Sequence, residues 1–173
     1  MVYYPQIKPE RGITMKKLAL VFAAALALTA CTVPHVGKPS FDLDDDEMEI
    51  GIGIHGEPGR HRKAVGTANE VTDQLLEPVV KDLGLAEGDE VLLFVNGMGG
   101  TPLIEQYTVY HHARAQLEAQ GVTVTRSLVG SYVTSLEMQG VSITVLKLDE
   151  QLTELWDDPV STAALVRGPM RVR

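Results

Sequence analysis

Apolar residues in this chain follow two different rhythms. Across residues 67–83, Val71, Leu75, Leu76, Val79, Val80 and Leu83 recur at three- and four-residue intervals, the period of a helix with one buried face. Thr67 or Asn69 is placed to cap its start, and Pro78 within the pattern predicts a kink or a break. Residues 90–95, Glu-Val-Leu-Leu-Phe-Val, form instead a nearly continuous apolar run, the mark of a strand covered on both faces. It leads into Asn96-Gly97-Met98-Gly99-Gly100-Thr101-Pro102. A second helix is expected from there to about Gln120, with Thr101 as cap, Pro102 at its first position and Gly121 closing it. Further strands are expected over 48–54, 122–129 and 142–148, and a short helix over 149–155 that reaches Trp156. This alternation predicts an α/β fold, a sheet with helical cover. Two polar stretches read as loops. Asp42, Asp44, Asp45 and Asp46 crowd an acidic turn whose spacing fits no EF-hand, and Arg60-His61-Arg62-Lys63 make a basic loop between Gly59 and Gly66.

The start of the chain supports two readings. Met15-Lys16-Lys17, an apolar run over 18–28 and then Leu28-Thr29-Ala30-Cys31 have the layout of a bacterial lipoprotein signal. As a helix that run spans roughly 16 Å, short of a bilayer core of about 30 Å. The same Ala/Leu/Val run suits a buried strand or helix equally well.

Composition narrows the field modestly. The 173 residues are 45% hydrophobic and 22% charged, within the range of a globular domain. A net charge of −8 argues against a broad nucleic-acid face. Cys31 is the single cysteine, so no internal disulfide or Cys-rich metal site can form. His35, His61, His111 and His112 show no metal-ligand spacing, and the adjacent pair cannot share one helix face.

Candidate chemistry concentrates in Gly51-Ile52-Gly53-Ile54-His55-Gly56-Glu57-Pro58-Gly59. An apolar strand delivers His55 between Gly53 and Gly56, whose lack of side chains lets a small molecule approach the backbone. Imidazole can serve there as base, ligand or nucleophile, although a histidine after an apolar strand is also a common core residue. Residues 96–102 are open to two readings, a tight strand-to-helix turn or an anion-binding loop at a helix start. They lack the Lys-Ser/Thr ending of a P-loop.

The nine-residue motif resembles the substrate-binding K subunit of the dihydroxyacetone (glycerone) kinases, the DhaK family. Further segments extend the resemblance over residues 25–165: Ala27-Leu28-Thr29, Cys31-Thr32-Val33-Pro34, Gly37-Lys38-Pro39-Ser40-Phe41, the Asn96–Pro102 loop, 127–138 (Ser-Leu-Val-Gly-Ser-Tyr-Val-Thr-Ser-Leu-Glu-Met) and Leu155-Trp156-Asp157-Asp158-Pro159-Val160. The match is to the C-terminal half of a domain about twice as long. It divides the chain into a non-family extension at 1–24 (signal-like, or a foreign, frameshifted or truncated gene start), a partial K domain at 25–165 and a tail at 166–173.

The resemblance implies a fold like the C-terminal subdomain of the K domain. It also implies that His55 holds dihydroxyacetone as a covalent hemiaminal, with Gly53 and Gly56 beside the substrate, for phosphorylation to dihydroxyacetone phosphate in glycerol catabolism. No cofactor is expected on this chain. The phosphoryl group would come from ATP or ADP held on a separate L subunit, and the location would be cytoplasmic. The family's Gly-Ser-Gly-His-Glu-Pro motif, with its second histidine, and an aspartate have no counterpart here, so the covalent anchor is expected without its acid/base groups. A half-domain with runs as hydrophobic as 90–95 and 122–129 is expected to self-associate into a homo-oligomer. Two rival readings remain: a binding module lipidated at Cys31, and a non-catalytic remnant.

Overall fold

A computed structural model describes residues 23–27, 43–52, 58–136 and 138–168. The elements run β1 (Ala23–Ala27), β2 (Glu47–Ile50), β3 (His61–Ala64), α1 (Ala68–Leu83), β4 (Glu90–Gly97), α2 (Leu103–Ala119), β5 (Thr123–Gly130), β6 (Gly140–Lys147), α3 (Glu150–Asp157), β7 (Val160–Ser161) and β8 (Val166–Arg167). Six strands form one sheet in the order β3-β2-β1-β6-β4-β5, and β7 with β8 makes a small separate ladder. Among the described strands, β4 and β5 are the one neighbouring pair that is parallel, joined across α2. The α/β expectation therefore holds, with a mixed sheet.

Alternation along β4 and β6 explains where the core lies. Val91, Leu93 and Val95 face one side with Val141, Ile143 and Val145, and pack with Leu75, Leu76 and Val79 of α1 and Val109, Ala113 and Leu117 of α2. Leu92, Asn96, Ser142 and Thr144 take the intervening positions and are buried as well. The apolar run over 90–95 is thus a strand covered on both faces, as its composition predicts.

The two ends of α1 and the C-terminal end of α2 are legible in the sequence. Thr67 caps α1: its hydroxyl accepts from the Glu70 N–H, and the Glu70 carboxylate accepts from the Thr67 N–H at 2.8 Å, a capping box. Gly84 closes it in the left-handed conformation, with the Leu85 N–H reaching the Val80 carbonyl. Pro78 does not break this helix, which runs on to Leu83. Leu75, Leu76 and Val79 are buried on both sides of the proline, and that packing holds the turn its ring would otherwise disrupt. Gly121 closes α2 as expected, with the Val122 N–H on the Leu117 carbonyl. His112 Nε2 lies 2.7 Å from Asp73 Oδ1 and links α2 to α1, while its neighbour His111 makes no such link.

Three local expectations are corrected. Arg60-His61-Arg62-Lys63 is not a loop throughout, because 61–64 forms edge strand β3, paired antiparallel with β2. Its exposed polar residues give no alternation to read; backbone pairing and the Arg62–Glu47 ion pair at 3.3 Å hold it instead. The strand expected over 48–54 ends at Ile50, since Gly51 turns the chain at φ 82°. Thr101 does not cap α2. Its hydroxyl exchanges two 2.8 Å bonds with the backbone of Gly140, and Pro102 occupies the cap position. Among the described residues, β4 pairs on both sides and the six-stranded sheet ends at β3 and β5. Of the two readings for residues 18–28, the described part, 23–27, is a strand between β2 and β6. Cys31 lies outside the described residues.

Candidate functional site around the connection between β2 and β3

His55, Gly53 and Gly56 lie outside the described residues; the limbs of chain on either side of them are described. The first limb leaves β2 at Ile50 and turns at Gly51. The second returns through Pro58 and Gly59 to β3, where Ile50 pairs with His61 and the Arg60 N–H donates to the Ile50 carbonyl at 2.7 Å. The glycine-bracketed histidine is therefore carried on the connection of a β-hairpin.

Glu49 ties these limbs together, although no motif singles it out. Met48 and Ile50 point into the core, so alternation sends Glu49 to the other face of the sheet. It is only 9% exposed. One of its oxygens accepts from the Gly59 N–H at 2.6 Å, and the other lies 3.3 Å from Arg62 Nε. A charged side chain between two apolar residues of a strand is the signal in the sequence that marks it.

The second candidate, residues 96–102, resolves as a packed turn. The Met98 N–H donates to the Gly140 carbonyl and the Gly100 N–H to the Met138 carbonyl, so neither is open to an anion. Gly99 sits at φ 108°, and a Cβ there would lie 2.5 Å from the Ser135 carbonyl oxygen. Asn96, 1% exposed, organises the facing segment: its Oδ1 accepts from the Tyr132 and Val133 N–H groups, both at 2.9 Å, and its Nδ2 donates to the Val133 carbonyl at 2.7 Å. Gln106 is buried beside it and donates to Ser131 Oγ and the Thr101 carbonyl.

Where His55 lies relative to residues 96–102 falls outside the described residues, but the strands that lead to each are described. β2 is antiparallel to β1, β1 to β6 and β6 to β4, so β2 and β4 run in opposite directions. The chain leaves β2 for the histidine motif and leaves β4 for the glycine-rich turn in those opposite directions. A shallow apolar depression of about 230 Å³, lined by Met48, Val65, Val71, Thr101, Val109 and Val141 among others, is a third concavity, but only Glu105 brings a charge to it. Among the described residues, no group of three or more His, Cys, Asp or Glu side chains is placed to hold a metal ion, and no helix is long and apolar enough to cross a membrane.

Comparison with known proteins gives this geometry its context. The chain is 47% identical over 155 residues to the dihydroxyacetone-binding subunit DhaK of the PTS-dependent dihydroxyacetone kinase 1 of Listeria innocua, covering 89% of this chain and 47% of that protein. It is 40% identical over 167 residues to the dihydroxyacetone-binding subunit DhaK of the PEP-dependent dihydroxyacetone kinase of Escherichia coli, covering 83% of this chain and 47% of that protein. The chain thus spans about half the length of the curated relatives it matches. Among solved structures, the dihydroxyacetone kinase operon co-activator Dha-DhaQ is similar with a TM-score of 0.70 and 31% identity, over 80% of this chain and 42% of that one. The Dak1 domain matches residues 12–164, and the chain belongs to that family, among the relatives of the DhaK subunits.

Proposed function

We propose that this chain captures dihydroxyacetone on His55, as the substrate-holding part of a dihydroxyacetone kinase K subunit. The observation that carries this reading is the position of the motif: the glycine-bracketed histidine lies on the β2–β3 connection of a chain whose relatives are dihydroxyacetone-binding subunits. A neutral imidazole nitrogen adds to the carbonyl carbon, and the C=O bonding pair moves onto oxygen. That oxygen gains a proton, the other ring nitrogen loses one, and the product is a hemiaminal with no change of oxidation state. Both primary hydroxyls stay free, one of them to accept phosphate, and the ketone is held in one orientation. Glycerol has no carbonyl and cannot be held in this way. Gly53 and Gly56 carry no side chain that could obstruct a small ketone.

In this reading the phosphoryl donor sits on a separate L-type subunit, the setting is the cytoplasmic breakdown of glycerol, and this chain binds no nucleotide. The Gly-Ser-Gly-His-Glu-Pro motif is not in this sequence, so proton transfer falls to groups outside these 173 residues. The test is intact-protein mass spectrometry with dihydroxyacetone and with glycerol. Dihydroxyacetone gives an adduct on the wild-type chain, glycerol gives none, and His55→Ala loses it. An equal adduct on His55→Ala refutes the assignment.

One observation favours a second reading, in which capture serves sensing rather than transfer. The structurally similar Dha-DhaQ is a dihydroxyacetone kinase operon co-activator. Incubation with an L subunit and a phosphoryl donor separates the two. A kinase part yields dihydroxyacetone phosphate, about 10²- to 10⁴-fold more slowly than with the acid/base groups present, whereas a sensor retains the adduct and yields none.

A further inference from the structure

We propose that Glu49 is a positioning residue for the capture step, holding the two limbs that carry His55 at a fixed separation. The inference rests on the reading that His55 captures the ketone. It is carried by the bonds that Glu49 and its neighbour make across the connection. Glu49 precedes the motif in sequence; Gly59 and Arg62 follow it. Its carboxylate accepts from the Gly59 N–H at 2.6 Å and faces Arg62 Nε at 3.3 Å, while the adjacent Ile50 carbonyl accepts from the Arg60 N–H. Two consecutive residues on one limb thus fix three on the other.

An ordinary hairpin closes with backbone pairing alone, which Ile50 and His61 already provide. A charged group that is nine-tenths buried adds desolvation cost, and that cost is offset only while both partners stay in place. The geometry is also unusually tight at the contact. A Cβ at Gly59 would lie 2.5 Å from Glu49 Cγ and 2.9 Å from the Ile50 carbonyl oxygen, so a side chain there forces the limbs apart. Arg62 meets Glu47 as well, which anchors the guanidinium to β2 at two points. A nucleophile displaced by about 1 Å loses on the order of 100-fold in effective reactivity. A device that fixes both ends of its loop therefore acts on capture itself.

The experiment measures the apparent dissociation constant of the dihydroxyacetone adduct by intact-protein mass spectrometry, well below the melting temperature of each protein, with circular dichroism confirming that each is folded. Glu49→Gln keeps an oxygen for the Gly59 N–H. Glu49→Ala removes both interactions, and Gly59→Ala pushes the limbs apart while leaving the carboxylate. Capture weakens about 10- to 100-fold in Glu49→Ala and Gly59→Ala, and stays within about threefold of wild type in Glu49→Gln. Wild-type capture by folded Glu49→Ala or Gly59→Ala overturns the inference, as does a loss in Glu49→Gln equal to that in Glu49→Ala. Should Glu49→Ala fail to fold, Glu49→Gln and Gly59→Ala decide. If the wild-type chain itself forms no His55-dependent adduct, the capture reading fails and this inference falls with it, an outcome distinct from loss of the inference alone.

Discussion

Replacing Asn96 by alanine tests whether its amide is what fastens the segment after β5 to the sheet. The side chain makes three short bonds, from the Tyr132 and Val133 N–H groups to Oδ1 and from Nδ2 to the Val133 carbonyl. A fourth contact, to Ser142 Oγ at 3.4 Å, is near the limit for a hydrogen bond and adds little. Net contributions of about 1 kcal/mol per intramolecular bond give about 3 kcal/mol for the three, since both backbone groups of Val133 and one of Tyr132 lose their partner together. For a chain of this size that corresponds to a fall of about 6–12 °C in melting temperature. Urea denaturation should show the loss as a lower midpoint with an unchanged slope, and hydrogen exchange at the Tyr132 and Val133 amides should accelerate. Asn96→Asp keeps the acceptor but sets a second oxygen against the Val133 carbonyl, so it should lose at least as much at neutral pH. A loss below about 0.5 kcal/mol in Asn96→Ala with unchanged slope would refute the reasoning, because it would mean the segment is held by something else.

Other outcomes follow from single contacts. Gly99→Ala combines a left-handed backbone with an overlap on the Ser135 carbonyl, and should destabilise by more than about 1 kcal/mol in urea melts; a neutral result would show that the turn relaxes freely. The Asp89 carboxyl is held below the usual carboxylate range, first by its hydrogen bond from Lys147 and then by the Ala86 N–H; Asp157 is lowered in the same direction by Arg126. A depressed folded pKa means the unfolded chain binds more protons in acid, so these contributions are complete above the unfolded carboxylate pKa and are lost as pH falls through the folded one. Lys147→Met should therefore flatten the dependence of the urea midpoint on pH over about pH 2 to 5, and an unchanged acid limb would sink that assignment.

Where packing and periodicity coincide, the sequence was easy to read. Leu75, Leu76 and Val79 repeat at helical intervals because they face the sheet, and the α1 caps are written in Thr67, Glu70 and Gly84. Strand β3 was not legible. An edge held by backbone pairing and an Arg62–Glu47 ion pair needs no apolar face, so nothing in Arg-His-Arg-Lys distinguishes it from a loop. Thr101 misled because a hydroxyl before a proline fits a cap as well as a tertiary contact, and only the approach of Gly140 decides between them. The chemistry of His55 was legible only through its glycines and its resemblance. Glu49 stayed hidden because its partners, Gly59 and Arg62, lie across a hairpin that periodicity does not reveal.

The strand order has a consequence for assembly of the molecule. Within the sheet, and among the described residues, β1 (Ala23–Ala27) is the strand that joins β2 and β3 to β6, β4 and β5. The β2–β3 pair and the β4–α2–β5 crossover with β6 are each built from neighbouring segments and can form early, whereas β1 must pair Ala25 with Val141 across most of the chain. Contacts that distant cost the most loop entropy and form late in folding. Insertion of β1 is thus the step that closes one continuous sheet, and without it β2 would be held to the rest of the core by the packing of Met48 and Ile50 alone.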